Sequence, residues 1–352
     1  MQKLLKNERL FNVIVPVFSA LLGMLVGAII MLIGGYDPIV GFSALIDGMF
    51  GSPKSIGEMI RAASPLILAG LAVGFAFKTG LFNIGVEGQL LVGWLASVYV
   101  GYTFELPAVI HIPLAILAAA VAGGIWGMIP GFLKARFKVH EVIVTIMLNY
   151  IALYVTADII KRYLYAGNEK SYKINETASL SSDFLTAITG GSRLHWGIVV
   201  AIIVAVCMWF ILDKTTTGYE LKAVGFNQHA SMYAGMNVSK NIVLSMTISG
   251  AFAGVAGAME GLGTFQNMTV MSAFTGTGFD GIAVALLGAN NAFGIIIAGL
   301  LFGGLNTAAP QMNFNANVPQ ELVEIIIALI IFFVASGYLI RLILMRFSKE
   351  GK

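Results

Sequence analysis

Several polar side chains stand where the surrounding sequence is almost wholly apolar. Glu87 lies in Leu81-Phe82-Asn83-Ile84-Gly85-Val86-Glu87-Gly88-Gln89, flanked by Asn83 and Gln89. Asp280 lies in Gly276-Thr277-Gly278-Phe279-Asp280-Gly281, and Asn149 in Ile146-Met147-Leu148-Asn149-Tyr150. Glu260 and Asn306 sit nearer the ends of two further apolar runs. Carboxyls and amides of this kind can bond the hydroxyls and ring edges of a polar solute, hold a proton or cation, or tie helices together. An ionisable group at bilayer depth costs about 2.5–3.5 kcal/mol on insertion scales, so each needs a reason to be there. Two structural alternatives stay open: Glu87 as a buried carboxyl bonded to a neighbouring helix, and Asn149 as a bond between helices.

The elements that carry these residues follow from composition. Of 352 residues 58% are hydrophobic and 11% charged, with a mean hydropathy of +0.86. An average soluble domain has roughly 25% charged residues. A soluble fold with so few polar residues would lack the means to cover its surface, and disordered chains are apolar-poor. The net charge of +3, without dense basic clusters, argues against nucleic acid as a partner. Cys207 is the single cysteine and the four histidines are far apart, so no metal-ligand spacing is present. The class that remains is an all-α, polytopic membrane helix bundle.

A crossing helix needs about 20 apolar residues. Ten stretches qualify as candidates: 11–33, 59–77, 81–101, 108–129, 141–160, 196–212, 242–261, 278–290, 292–308 and 321–345. The first continues into Gly34-Gly35-Tyr36-Asp37-Pro38 without a small-residue cleavage site, so it reads as a retained span. The eighth is short and Gly-rich. Basic residues orient the chain, because cytoplasmic loops retain Lys and Arg. Lys3, Lys6, Arg9, Lys78, Lys134, Arg136, Lys138, Lys214, Lys222, Lys240 and the tail Arg341, Arg346, Lys349, Lys352 fall on one side if both termini are cytoplasmic. The loop 161–195 is then outside and fits the rule least well, since it is itself basic. The whole chain 1–352 reads as one membrane domain with its bundle over 11–345, a long outer loop at 161–195 and an inner loop at 213–241.

The third and eighth stretches hold matching places in two five-span halves, and each is Gly-interrupted with one carboxylate. Paired broken segments in corresponding positions point to a transporter's central pathway. Asn83, Glu87, Gln89, Asn149 and Asp280 would line or brace it, with Phe82 or Phe279 available to stack on a ring. The pairs Gly23/Gly27, Gly70/Gly74, Gly123/Gly127, Gly250/Gly254 and Gly299/Gly303 permit close helix contact. In the inner loop, Asn227 is a good N-cap and Gly235 a good C′ residue, which predicts a two-turn helix between them. Ala230, Tyr233 and Ala234 would share one face, suited to a groove on another protein or to the lipid surface.

This loop also carries a resemblance. Gly218 … Ala223-Val224-Gly225-x-Asn227-x-x-Ala230-x-x-x-x-Gly235-Met236-Asn237-Val238 resembles the ATPase-coupling loop of ABC importer permeases of the ribose and branched-chain amino-acid group, and Gly278-Phe279-Asp280-Gly281-Ile282-Ala283 is similar to that group too. Phe77-Lys78-Thr79-Gly80-Leu81-Phe82-Asn83-Ile84-Gly85-Val86-Glu87-Gly88-Gln89 and His140-Glu141-Val142-Ile143-Val144-Thr145-Ile146-Met147-Leu148-Asn149-Tyr150 resemble its nucleoside branch. The sugar branch usually has an Asp-Leu-Ser-Val-Gly type motif where this chain has Asn83-Ile84-Gly85-Val86-Glu87.

The resemblance implies a bacterial plasma-membrane permease that pairs with a second, often non-identical permease. It implies a separate ATPase that uses ATP and Mg below the membrane, and an extracytoplasmic lipoprotein that delivers nucleoside. Gly225, Asn227, Ala230, Tyr233 and Gly235 would then couple to the ATPase, and Lys170, Lys173 and Arg193 would dock the binding protein. No cofactor is expected on the chain itself, which has no Gly-x-x-x-x-Gly-Lys-Ser/Thr phosphate loop. Permeation of a simple sugar or branched-chain amino acid is the nearest alternative. An ion-coupled transporter using Glu87 and Asp280 is an alternative of another class. A membrane-embedded enzyme lacks any recognisable catalytic motif.

Overall fold

The computed structural model describes residues 8–335. The tail residues Arg341, Arg346, Lys349 and Lys352, the leading Lys3 and Lys6, and the end of the last expected stretch lie outside them. The described residues are helical, with isolated β-bridges and no strand. The helices run α1 Glu8–Ile33, α2 Pro38–Phe50, α3 Pro53–Lys78, α4 Val86–Thr103, α5 Ala108–Phe137 and α6 Glu141–Tyr163. They continue as α7 Asp183–Ile188, α8 Gly197–Lys214, α9 Thr216–Phe226, α10 Gln228–Tyr233, α11 Val238–Ala258, α12 Thr277–Leu287, α13 Ala292–Ala316 and α14 Gln320–Ala335. A π-helical segment, Met259–Thr264, extends α11.

Among the described residues, six helices are long and apolar enough to cross a membrane: α3, α5, α6, α8, α11 with its π segment, and α13. Shorter apolar helices are Leu21–Ile33, Pro38–Phe50 and Thr277–Leu287. The helix Pro38–Phe50 was not expected, because its 13 residues fall below spanning length. Its signal was present nonetheless. Asp37 Oδ1 accepts from the Ile39 and Val40 N–H groups, and Pro38 follows at the first helical position.

The centre is built from α3 and α11. Leu66, Ile67, Leu68, Leu71, Val73 and Phe75 of α3 are buried, and Phe75 meets Phe252 of α11 edge-on at 5.6 Å. The helices α5, α6 and α8 are peripheral, with Val109, Leu117, Ile125, Ile143, Tyr154 and Ile203 exposed as an outward apolar surface. Such a surface would be untenable in water and suits lipid or a second membrane subunit.

Two of the expected glycine pairs meet each other. Gly123 and Gly127 of α5 lie directly against Gly250 and Gly254 of α11, where a Cβ on any of the four would overlap backbone of the facing helix or of its neighbouring turn. Backbones this close exchange dispersion along their whole contact, which is the use of small residues between membrane helices.

The loop 161–195 is ordered. It holds a 3-10 turn at Glu176–Ala178 and α7. It is bonded across to 262–269 through Leu180 N–H to Leu262 O (3.0 Å), Ile174 N–H to Gln266 O (3.0 Å) and Ser171 N–H to Met268 O (2.8 Å). The segment 213–241 holds two short helices rather than one. Thr215 caps α9 by accepting from Gly218 N–H at 3.1 Å, and Asn227 caps α10 by accepting from Ala230 N–H at 3.0 Å. Gly235 follows with φ +85, the left-handed ending expected of it.

The glycine contact gives a direct test. Gly254→Val places methyl groups on the Ala119 carbonyl and should cost about 1–3 kcal/mol by overpacking. Thermal unfolding of the purified protein should show a lowered midpoint, while Gly124→Ala on α5, whose added Cβ would come no closer than 3.3 Å to the Thr247 carbonyl, should lower it less.

Candidate functional site

Helix α3 ends at Lys78, and the chain then turns at Thr79-Gly80 and runs irregularly to Gly85 before α4 begins. The expected span 81–101 is therefore a helix only from Val86. The free backbone groups of this break are met by the polar residues picked out from the sequence. Asn83 Oδ1 accepts from Gly85 N–H at 3.0 Å, and its Nδ2 donates to Gln89 Oε1 at 2.9 Å and to Ser249 Oγ at 2.8 Å. Ser249 in turn donates to Ala72 O at 2.6 Å. Asn149 of α6 spans the break, donating to Ile84 O at 3.0 Å and accepting from Gly88 N–H at 2.9 Å. Asn83, Glu87, Gln89 and Asn149 are all buried.

A second break precedes α12, and Glu87 joins the two. Its Oε1 accepts from Thr275 Oγ1 at 2.7 Å and Gly276 N–H at 3.0 Å, and its Oε2 accepts from Gly278 N–H at 2.6 Å. Gly276 has φ +84 and sits at the N-cap position of α12, where its lack of Cβ admits the left-handed turn. Glu87 itself lies in the first turn of α4. One carboxyl group thus occupies the N-terminal ends of two helices, where free N–H groups and the helix dipole both favour an acceptor. The two broken segments meet through it. Among the alternatives left open, the structure gives both Glu87 and Asn149 a bracing geometry.

Beside this junction lies a cavity of about 270 Å³, lined by Arg61, Ala62, Pro65, Leu66, Trp94, Glu260, Phe265, Thr275, Thr277 and Asn306. Two of its walls are irregular helix. Pro65 lacks the N–H that would bond the Arg61 carbonyl, and Glu260 is carried by the π-helical segment. Such segments are rare and often occur at functional sites. Trp94 and Phe265 stack at 5.4 Å and 19°, with Trp94 Nε1 anchored on Asn267 O at 2.9 Å and Phe265 half exposed. Asn306 donates to Asp280 Oδ2 at 3.2 Å. Glu260 Oε2 is shielded from solvent and has no hydrogen-bond partner among the described residues.

At the rim, Arg61 donates Nε to Glu58 Oε2 at 2.7 Å and Nη1 to Thr264 Oγ1 at 3.4 Å. Glu58 also accepts from the Arg193 N–H at 2.8 Å and pairs with its guanidinium at 3.4 Å. His195 stands beside them. Burial first, and the Arg61 charge second, push it down to about 4, so it is neutral near pH 7. Its Nδ1 accepts from Gly197 N–H at 3.0 Å, which leaves the proton on Nε2 facing Thr264 Oγ1 at 3.4 Å.

The expected pathway residues are thus brought together, one layer behind the cavity. Thr275 lines it and rests on Glu87; Asn306 lines it and rests on Asp280. The aromatic expectation needs correction. Phe82 stacks on Phe77 at 5.1 Å and Phe279 packs edge-on to Phe274 at 5.7 Å, and neither lines the cavity. Phe265 does. Arg61, Trp94 and Phe265 were not singled out from the sequence, because an Arg near a helix start and aromatics in apolar runs carry no local signature.

On the opposite side, Ala230, Tyr233 and Ala234 of the α10 segment are exposed, with Phe226 and Tyr219 exposed next to them. Gly225 packs against the Lys78, Thr79 and Gly80 backbone, so α9 touches the start of the first break. Lys170 and Lys173 are exposed. Arg193 is exposed but already paired with Glu58.

Residues 55–335 match the family model described as branched-chain amino acid transport system / permease component. The chain belongs to that family. This permease is 60% identical over 344 residues to the guanosine ABC transporter permease protein NupP of Bacillus subtilis, covering 98% of this chain and 99% of the relative. It is 42% identical over 345 residues to the nucleoside ABC transporter permease protein NupB of Lactococcus lactis, covering 96% and 94%. It is 34% identical over 331 residues to the glucose ABC transporter permease protein TsgB13 of Haloferax volcanii, covering 92% and 87%. No solved structure matches the permease.

The junction yields a prediction. Glu87→Ala strands two backbone N–H groups and a hydroxyl, at about 1–3 kcal/mol for each buried group left unpaired. Glu87→Gln should be nearly as damaging, because its amide points a donor at a donor. Thermal unfolding should show both variants well below the parent; a Gln variant of parental stability would refute the double-cap role.

Proposed function

We propose that the chain is the membrane-spanning subunit of an ATP-driven importer of nucleosides, and that the solute passes through the cavity beside the Glu87 junction. The observation that carries this reading is the near-full-length identity to the guanosine permease, well above that to the glucose permease. The cavity supports it chemically. About 270 Å³, close to the lower end of the roughly 300–1,000 Å³ usual for small-molecule sites, suits one small solute. The aromatic stack offers a face to a base, while Asn306, Thr275 and Thr277 offer bonds to ribose hydroxyls. Asn83, Glu87, Gln89, Asn149 and Asp280 hold the lining residues in place.

The bundle sits in the bacterial plasma membrane as ten crossings in two halves, with both termini inside and the 161–195 loop outside. The distribution of Lys and Arg supports that orientation. A binding lipoprotein docks outside on Lys170 and Lys173, with Arg193 at the mouth. A second permease covers part of the outward apolar surface. A separate ATPase supplies the energy from ATP and Mg. It receives α10 by Ala230 and Tyr233, with Asn227 and Gly235 fixing the ends of that helix. Motion of α10 passes to α9, and through Gly225 to the turn at Lys78–Gly80 where the first broken segment begins. Access alternates by tilting of packed elements about the central junction.

Uptake into proteoliposomes carrying the full assembly tests the reading. Labelled guanosine should accumulate only with ATP, and Phe265→Ala and Asn83→Ala should each lower the rate about tenfold or more. Accumulation driven by an ion gradient without the ATPase would overturn it. Coupling has its own check. Ala230→Arg should abolish uptake while leaving the unfolding temperature of the bundle unchanged; normal uptake and normal stimulated ATP hydrolysis would refute the role of α10.

A further inference from the structure

The cavity contains one buried acceptor and one donor group that no described residue engages. Glu260 Oε2 is shielded and has no partner among the described residues. An orphaned buried acceptor is costly, on the order of 1–3 kcal/mol, and such groups in a folded protein call for an explanation. Arg61 lines the same cavity. Its Nε is engaged by Glu58 and its Nη1 by Thr264, while its Nη2 makes no bond to a described residue. The fork is therefore held rigidly from two sides with one amine left over.

The π-helical segment sets the aromatic wall beside this pair. Phe265 closes the segment, its N–H bonding to Glu260 O at 2.9 Å. Its ring is stacked on Trp94 from one side and half exposed. Glu260, Phe265, Trp94 and Arg61 thus crowd one part of the cavity, and the neutral Thr275, Thr277 and Asn306 come from the α12 and α13 side. These are the groups that the cavity offers to a ring lying on Phe265 and to its sugar.

We propose that Glu260 and Arg61 read the base, and select bases with a lactam edge. This inference rests on the nucleoside reading above and narrows it to a substrate class. A lactam edge presents a carbonyl oxygen next to a ring N–H. Arg61 Nη2 donates to the carbonyl, and Glu260 Oε2 accepts from the N–H. Guanine and hypoxanthine carry that edge at O6 and N1, and uracil at O4 and N3. Adenine and cytosine present the inverse, an amine beside an unprotonated nitrogen, which sets donor against donor and acceptor against acceptor. Sites that pair buried polar groups with a substrate reject the mismatched analogue far more strongly than a hydrophobic pocket rejects a change of size. Purine and pyrimidine size plays no part in this discrimination.

The test compares inosine with adenosine, which differ at this edge alone. Uptake is measured in proteoliposomes with the complete assembly, at nucleoside concentrations that saturate the binding protein. The parent should import inosine, guanosine and uridine at least about tenfold faster than adenosine and cytidine. Glu260→Gln replaces one acceptor by a donor at constant shape, which meets adenine N1 and removes one of its two mismatches while creating one against the inosine N–H. It should lower the inosine-to-adenosine ratio at least about tenfold. An unchanged ratio, or an equal loss of both substrates, would overturn the proposal. Should the variant fail to assemble, 1-methylinosine probes the parent from the ligand side. Its methyl group replaces the N–H, and its uptake should be at least about tenfold slower than that of inosine; equal rates would overturn the proposal. A parent that imports no nucleoside with ATP refutes the underlying reading instead, and is distinguishable from every one of these outcomes.

Discussion

Two helices begin in the middle of the bundle, and one carboxyl group carried by the first satisfies the beginning of the second. A helix start exposes N–H groups that have no partner within the helix. At a surface water would meet them, but α4 starts among buried residues and α12 among half-buried ones, with Gly278 buried. Glu87 accepts from the Gly276 and Gly278 N–H groups while standing in the first turn of its own helix. The rest of the break is closed by the same logic. Asn83, Asn149 and Ser249 are each bonded on two or more sides. The irregular backbone is tolerated because side chains from α6 and α11 replace the missing ladder.

The cavity owes its shape to this arrangement and to irregularity in its other walls. Pro65 interrupts the hydrogen-bond ladder of α3, and the π segment widens α11 one residue before Glu260. Away from them α11 is tightly joined to α5, by Gly123 and Gly127 against Gly250 and Gly254. Close packing along α11 and the irregular π turn at its end make a rigid frame beside the hollow. Such a frame positions side chains more closely than a loop would.

Much of this was legible in the sequence, for reasons that separate cleanly. Composition gave the all-helical membrane class. The Asn227 cap and the Gly235 ending were visible because both are local, and the structure has them. The two Gly-interrupted stretches stood out because polar residues in apolar runs are expensive, and they meet. What stayed hidden depends on tertiary placement. Nothing in the neighbourhood of Arg61 marks it as a cavity residue, and its use follows from Glu58 and Thr264 holding it. Phe82 and Phe279 lay closest to the conspicuous polar residues, yet each is taken up by another phenylalanine. Helix α2 was missed because its length falls between a loop and a span, although Asp37-Pro38 announced its start.

The contact at Gly225 has a consequence for how stiff the molecule is along its long axis. Side chains between two helices act as cushions: a rotamer changes and a small displacement is absorbed before it travels further. Here α9 lies backbone on backbone against the turn after α3, and there is no rotamer to give. A displacement of α9 would reach the start of the first broken segment without being taken up by side-chain rearrangement at this contact. The absence of one methyl group converts a soft joint into a hard one.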